Sequence, residues 1–242
     1  MECRDFYVLT MATPYQECLD KIYQLGRFGI KLELDTIGNI LQILGHPEKK
    51  FLTVHVAGTN GKGSTATYIA SILQAAGFRT GLYTSPHLVT FNERICVNGQ
   101  MITDADVVAA YGAVNAADTG KRNATFFEIA TAMAFYHFAA QQVEWAVIET
   151  GMGGRFDATN IVVPQVSVIT NLSIEHTEYL GGTIRALANE KGGIIKPSTP
   201  VVTSVTQPSG IGRLKDIARE NSAALYQFRH DFFIRKNPVR HS

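Results

Sequence analysis

Between Val56 and Thr65 the sequence reads Val-Ala-Gly-Thr-Asn-Gly-Lys-Gly-Ser-Thr, three glycines around one lysine with two hydroxyl residues behind them. That combination suits phosphate binding. Backbone N–H groups at a helix start face the anion, and Lys62 reaches toward the outer phosphates. Gly58, Gly61 and Gly63 are expected to permit positive φ and close approach of the backbone. Thr59, Asn60, Ser64 and Thr65 complete the candidate nucleotide-binding set. Counted strictly, Gly58 to Lys62 is shorter than the general G-x-x-x-x-G-K-[ST] pattern, because Gly63 precedes Ser64. A glycine-rich turn with an exposed lysine is the alternative reading.

Two further places carry chemistry. Glu149 closes the apolar run Trp145 to Ile148 and precedes the glycine cluster Gly151, Gly153 and Gly154. A carboxylate at the C-terminal end of such a strand can hold Mg²⁺ on nucleotide phosphates, or can simply be a solvated acid. Glu175 and His176 follow the run Val166 to Thr170 and belong to the corresponding edge; a lone histidine is otherwise structural. The cysteines, Cys3, Cys18 and Cys96, are odd in number and widely spaced, so they form no zinc or redox motif. They are expected to be idle thiols in a reducing compartment, which points to the cytoplasm.

These residues need elements to place them. Apolar spacing predicts two short helices over 14–26 and 35–44, then a β-rich run from Phe51 to Val56 and a helix ending at Ala76, closed by Gly77. Thr80 to Thr84 reads as a strand. Asn98–Gly99, between Ile95–Val97 and Met101–Ile102, signals a two-residue hairpin. Capping boxes at Thr103 with Asp106 and at Thr125 with Glu128 announce two more helices. Strands at 145–148, 166–170 and 201–204 alternate with helices over 183–190 and 212–221, and a short strand is predicted at 224–228. Strand–helix alternation predicts an α/β fold of the phosphate-loop NTPase type, a mostly parallel sheet covered by helices on both faces.

The 242 residues are 45% apolar and 18% charged, an ordinary folded composition. A net charge of +1 argues against a broad nucleic-acid patch or a surface built for anionic membranes. No apolar run reaches the roughly 18 residues of a membrane span, and the N-terminus does not read as a secretion signal. Small molecules are therefore the expected partners, with neither nucleic acid nor membrane, and the chain is expected to be monomeric.

The glycine loop, taken together with several later segments, resembles the folylpolyglutamate synthase and dihydrofolate synthase family of the Mur ligase superfamily. The segments are Thr84-Ser85-Pro86-His87-Leu88 with Phe91-Asn92-Glu93-Arg94-Ile95, Thr125-Phe126-Phe127-Glu128, Glu149 to Asn160, and Glu190-Lys191-Gly192-Gly193-Ile194-Ile195-Lys196. The likeness runs from about residue 15 to about residue 230, and Gly63 favours the folate branch over the cell-wall ligases, which usually carry threonine there. The resemblance implies an ATP-dependent amide ligase. ATP phosphates would bind Lys62 and the glycines. One Mg²⁺ would bind Ser85 and Glu149, with Ser64 as a further hydroxyl ligand and His176 helping to hold a second ion. Lys191 would become a carbamate; without the resemblance it reads as a cation at a helix C-terminus.

In the same way the segment around Arg155, Asp157 and Ala158 is implied to favour dihydropteroate as well as folates, with L-glutamate as the amine. Phe126 offers a ring for stacking on a pterin, although Phe126 and Phe127 at a helix start also read as core. Two departures stand out: Glu175 where the family has aspartate, and Gly192 where it has alanine, which is expected to loosen the turn at Lys191. Residues 1–230 are expected to form the ATP-binding domain and 231–242 the start of a linker, with a C-terminal ligase domain lying outside this chain. A catalytically inactive nucleotide-binding fragment, or another Mur-type ligase, is the competing expectation.

Overall fold

A computed structural model describes residues 12–28, 33–120, 122–174 and 182–234. An eight-stranded sheet in the order β4-β3-β2-β5-β1-β6-β7-β8 forms its centre. The strands are β1 (Leu52–Ala57), β2 (Thr80–Tyr83), β3 (Ile95–Val97), β4 (Gln100–Met101), β5 (Trp145–Glu149), β6 (Val166–Ile169), β7 (Val201–Thr203) and β8 (Leu225–Gln227). Among the described residues only the β2–β3 and β3–β4 pairings are antiparallel; every other neighbour is parallel. The mostly parallel sheet expected from the sequence is present, with a hairpin added at one edge. At its turn Asn98 and Gly99 have φ of 49° and 75°, the left-handed pair that a two-residue hairpin requires.

The α-helices among the described residues are α1 (Pro14–Gln24), α2 (Asp35–Ile43), α3 (Lys62–Ala75), α4 (Asp104–Ala117), α5 (Phe126–Ala140), α6 (Ile184–Lys191) and α7 (Pro208–Glu220). The last starts four residues before the predicted 212, because Pro208 supplies a first-turn residue with its φ already fixed. Thr125 and Glu128 cap α5 reciprocally, as expected. At α4 only half of the predicted box forms. Thr103 accepts from the Asp106 amide, but the Asp106 carboxylate takes the Thr103 hydroxyl rather than a backbone N–H. Aspartate is one methylene shorter than the glutamate that makes the box at α5.

Alternation along the strands divides the core. Val54, Val56 and Val147 pack against Ala66 and Ala70 of α3. Ala146 and Ile148 belong to a larger cluster with α1, α2, α4 and α5, in which Tyr83, Phe91, Phe135 and Phe138 are wholly buried. Burying each such ring contributes about 1.5–3 kcal/mol. A third cluster joins Ala57, Ile169 and Val201 to α6 and α7. No helix among the described residues is long and apolar enough to cross a membrane.

The register matters for chemistry. Val56 lies opposite Glu149, Ala57 opposite Ile169, and Tyr83 opposite Ile148. The C-terminal ends of β1, β2, β5 and β6 thus reach one edge together, the edge where open parallel sheets bind ligands.

Candidate functional site

Leaving β1, the chain makes the phosphate loop and enters α3. Gly61 caps that helix at φ 75°, no side chain caps it, and its first turn holds no acid. Amides of the first turn therefore face the loop with the positive end of the helix dipole behind them. Gly58 has φ 146°, and a Cβ there would stand 1.9 Å from Thr170 Oγ1. Gly63 differs from what the sequence suggested: it lies within α3 and is absent from the positive-φ glycines. Its missing side chain gives room to Glu149, whose Oε2 would be 3.4 Å from a Cβ.

The loop is braced from β6. Asn171 accepts from the Thr59 amide at 3.0 Å through its backbone carbonyl and from the Asn60 amide at 2.9 Å through Oδ1. Thr170 Oγ1 donates to the Asn60 carbonyl at 2.7 Å, and the Ser173 amide donates to Thr59 Oγ1 at 3.1 Å. No feature of the loop's own pattern announces these partners, which lie more than 100 residues away along the chain. Lys62 Nζ rests on the Thr59 carbonyl at 3.2 Å.

Glu149, only 3% exposed, accepts from the Ser85 amide at 3.0 Å and from the Gly63 amide. Burial pushes its carboxyl above the usual range, against the lowering pull of the Ser85 amide and Lys62. Lys191, 1% exposed at the end of α6, donates from Nζ to the Gly58 carbonyl at 2.9 Å. The structure thus brings Gly58 to Lys62, Gly63, Ser85, Glu149 and Lys191 together, while Ser64 and Thr65 form the first turn of α3 beside them. His176 and Glu175 lie outside the described residues. Among the described residues no three of His, Cys, Asp and Glu gather to hold a metal. The donor set at the loop is one buried carboxylate with hydroxyls nearby, which fits Mg²⁺ that keeps waters and phosphate oxygens as its other ligands.

The Gly192 turn is tighter than expected, not looser. A Cβ there would meet Ile217 Cδ1 at 2.5 Å and Leu214 Cδ2 at 3.2 Å, so α7 packs directly on the backbone beside Lys191. Gly192→Ala should cost about 1 kcal/mol through overpacking and lower the melting temperature by about 2–4 °C. Adding Ile217→Val should restore most of the loss in a thermal melt.

Asp157, Ala158 and Arg155 come from the loop after β5. Asp157 is buried and accepts from the Met152 amide at 2.9 Å, the Thr159 amide at 3.0 Å and the Thr159 hydroxyl. Its carboxylate organises its own loop. Ala158 is buried, and Arg155 hydrogen-bonds the Asn189 carbonyl at 3.4 Å. Phe126 is half-buried, stacked on Tyr23 with centroids 5.8 Å apart, and Arg94 lies 5.0 Å from its ring centre. Sequence reasoning missed His55, which lies beneath this loop with Nε2 2.8 Å from Thr159 Oγ1. A histidine inside a mostly apolar, buried strand was the available signal. With Asp157 ionised, Thr159 gives its proton to the carboxylate and accepts from His55.

Burial first, and Lys196 second, lower the His55 pKa to about 3. An unfolded histidine titrates near 6.5, so between those values the unfolded chain takes up a proton that the folded chain refuses. Stability should therefore fall as pH drops from about 6.5 toward 3, by up to about 1.4 kcal/mol per pH unit from this group. Melting curves from pH 7 to 4 should show a shallower decline for His55→Gln than for the unaltered chain.

The Mur ligase middle domain family matches residues 56–231. The dihydrofolate synthase/folylpolyglutamate synthase of Bacillus subtilis is 46% identical over 227 residues, covering 91% of this chain and 53% of that protein. The folylpolyglutamate synthase of Lacticaseibacillus casei is 39% identical over 228 residues, covering 92% and 53%. A solved E. coli FolC structure in complex with DHPP and ADP superposes with a TM-score of 0.87 at 34% identity, covering 94% of this chain and 54% of that one. The chain spans about half the length of the curated relatives it matches.

Proposed function

The chain belongs to the Mur ligase family, with folylpolyglutamate and dihydrofolate synthases as its relatives, and from that premise we propose that it carries the ATP site of a ligase adding L-glutamate to dihydropteroate and to folates. The observation that carries this reading is the meeting of the phosphate loop, Glu149 and Lys191 at one sheet edge.

In the reaction the γ-phosphoryl group passes from ATP to the acceptor carboxylate, giving an acyl phosphate and ADP. The glutamate amine then attacks the acyl carbon, an amide bond forms, and inorganic phosphate leaves. The loop amides and Lys62 hold the phosphates and offset the charge that moves during transfer. Ser64, Ser85 and Glu149 would hold one Mg²⁺, and His176 and Lys191 would hold a second; the ions would supply positive charge that offsets the charge of the phosphates. Carbamylation of Lys191, in which the deprotonated amine adds to carbon dioxide and releases a proton to solvent, belongs to the same proposal, since an anionic oxygen suits Mg²⁺ and an ammonium repels it. Phe126 takes the pterin ring, and the loop bearing Arg155, Asp157 and Ala158 shapes the wall beside it. A monomer in the cytoplasm completes the reading.

The test is glutamate-dependent phosphate release with dihydropteroate, tetrahydrofolate or a UDP-muramoyl acceptor offered separately, alongside direct measurement of ATP binding. ATP binding is expected, with phosphate release weak and confined to the pteroate acceptors. Release with the UDP-muramoyl acceptor alone overturns the substrate assignment.

A further inference from the structure

Phe126, the ring assigned above to a flat heteroaromatic substrate, already has an aromatic partner. Tyr23, on the last turn of α1, lies almost parallel to it, at 11° with centroids 5.8 Å apart. A third ring inserted between two others needs them about 7 Å apart or more, twice the contact distance of carbon atoms. The gap is too small, so Tyr23 and a substrate ring cannot share this face without Tyr23 moving.

Other sides of Phe126 are occupied too. Phe91 meets it edge-on at 88°, with centroids 6.3 Å apart, and the Arg94 guanidinium lies 5.0 Å from its centre. Phe91 is wholly buried, and Arg94 is buried and donates from Nε to His87 Nδ1 at 2.7 Å. Tyr23 is the loosely held member. Its residue is 43% exposed, and its hydroxyl reaches His87 Nε2 at 3.5 Å, the outer limit of a hydrogen bond. Because His87 Nδ1 accepts from Arg94, a neutral ring carries its proton on Nε2 and donates to Tyr23. Tyr23 from α1, with His87, Phe91 and Arg94 from one segment after β2, thus form a box beside Phe126 in which one wall can leave at small cost.

We propose that Tyr23 competes with the flat ring of the substrate for the stacking face of Phe126, so that binding exchanges one stacked ring for another and Tyr23 sets the affinity for that ring. The inference rests on the reading that Phe126 takes the pterin. A stack of this kind is present in the free protein and lost when substrate displaces it, so its removal should tighten binding by about two- to tenfold.

The experiment measures dihydropteroate and ATP dissociation constants for the unaltered chain and for Tyr23→Ala, Tyr23→Leu and Tyr23→Phe. Tighter dihydropteroate binding in the Ala and Leu variants, with Tyr23→Phe near the unaltered value and ATP binding equal in all four, supports the exchange. Unchanged or weaker dihydropteroate binding in both aliphatic variants makes Tyr23 a bystander or a wall of the pocket. That result overturns the inference and leaves the substrate assignment standing. Absence of dihydropteroate binding in all four proteins while ATP still binds overturns the assignment and this inference with it.

Discussion

Gly58→Ala should weaken ATP binding by about 100-fold or more, measured by calorimetry on the folded variant. Two independent effects combine at this position. A φ of 146° is a conformation that residues with a Cβ rarely adopt, and the added carbon would sit 1.9 Å from Thr170 Oγ1. Thr170 cannot retreat freely, because its hydroxyl holds the Asn60 carbonyl and its backbone amide donates to Ala57 at 2.9 Å. The loop must shift, and its amides then no longer converge on a phosphate. Thr170→Ala added to Gly58→Ala should recover only part of the affinity, since it removes the contact with Oγ1 but leaves the residue 170 Cβ at 3.1 Å, its amide nitrogen at 3.2 Å and the backbone strain. Full recovery would show that φ at this position is unimportant.

Glu149→Gln is expected to separate activity from stability. The carboxylate is buried, and burial disfavours its charge, so a neutral amide of the same shape is easier to hold in the folded chain. Its melting temperature without nucleotide should rise by about 2–4 °C for each kcal/mol recovered. On the proposed reading ligation should fall by about 100- to 1,000-fold, because Glu149 is the carboxylate that faces the loop among the described residues. A melting temperature that falls along with activity would instead make Glu149 a member of the scaffold.

Much of the fold was legible from local pattern. Alternating apolar runs and caps marked the strands of the sheet and the starts of α4 and α5, since these depend on neighbours a few residues away. The hairpin at Asn98–Gly99 was equally plain. Gly63 was not. Its type suggested backbone freedom, whereas its reason lies across the sheet in the bulk of Glu149. Gly192 likewise looked loose until α7 was seen against it. The roles of His55 and Asn171 were not legible, because their partners Thr159 and the phosphate loop are 104 and 111 residues distant. Phe126 was read either as a stacking ring or as core, and only the packing of α1 places Tyr23 on it. Short-range chemistry survives in a sequence; the identity of whatever closes a long loop does not.

The Lys191–Gly58 hydrogen bond also has a meaning in time. Its partners are 133 residues apart, and translation adds about 5–20 residues each second, so roughly 7–27 s pass between their synthesis. Throughout that interval the glycine loop exists without the amine that will fasten it, and for most of it without β6 as well. A nascent chain arrested before α6 emerges should therefore ignore nucleotide even though its phosphate motif is complete. Competence would come late in synthesis and abruptly, as the distant lysine arrives.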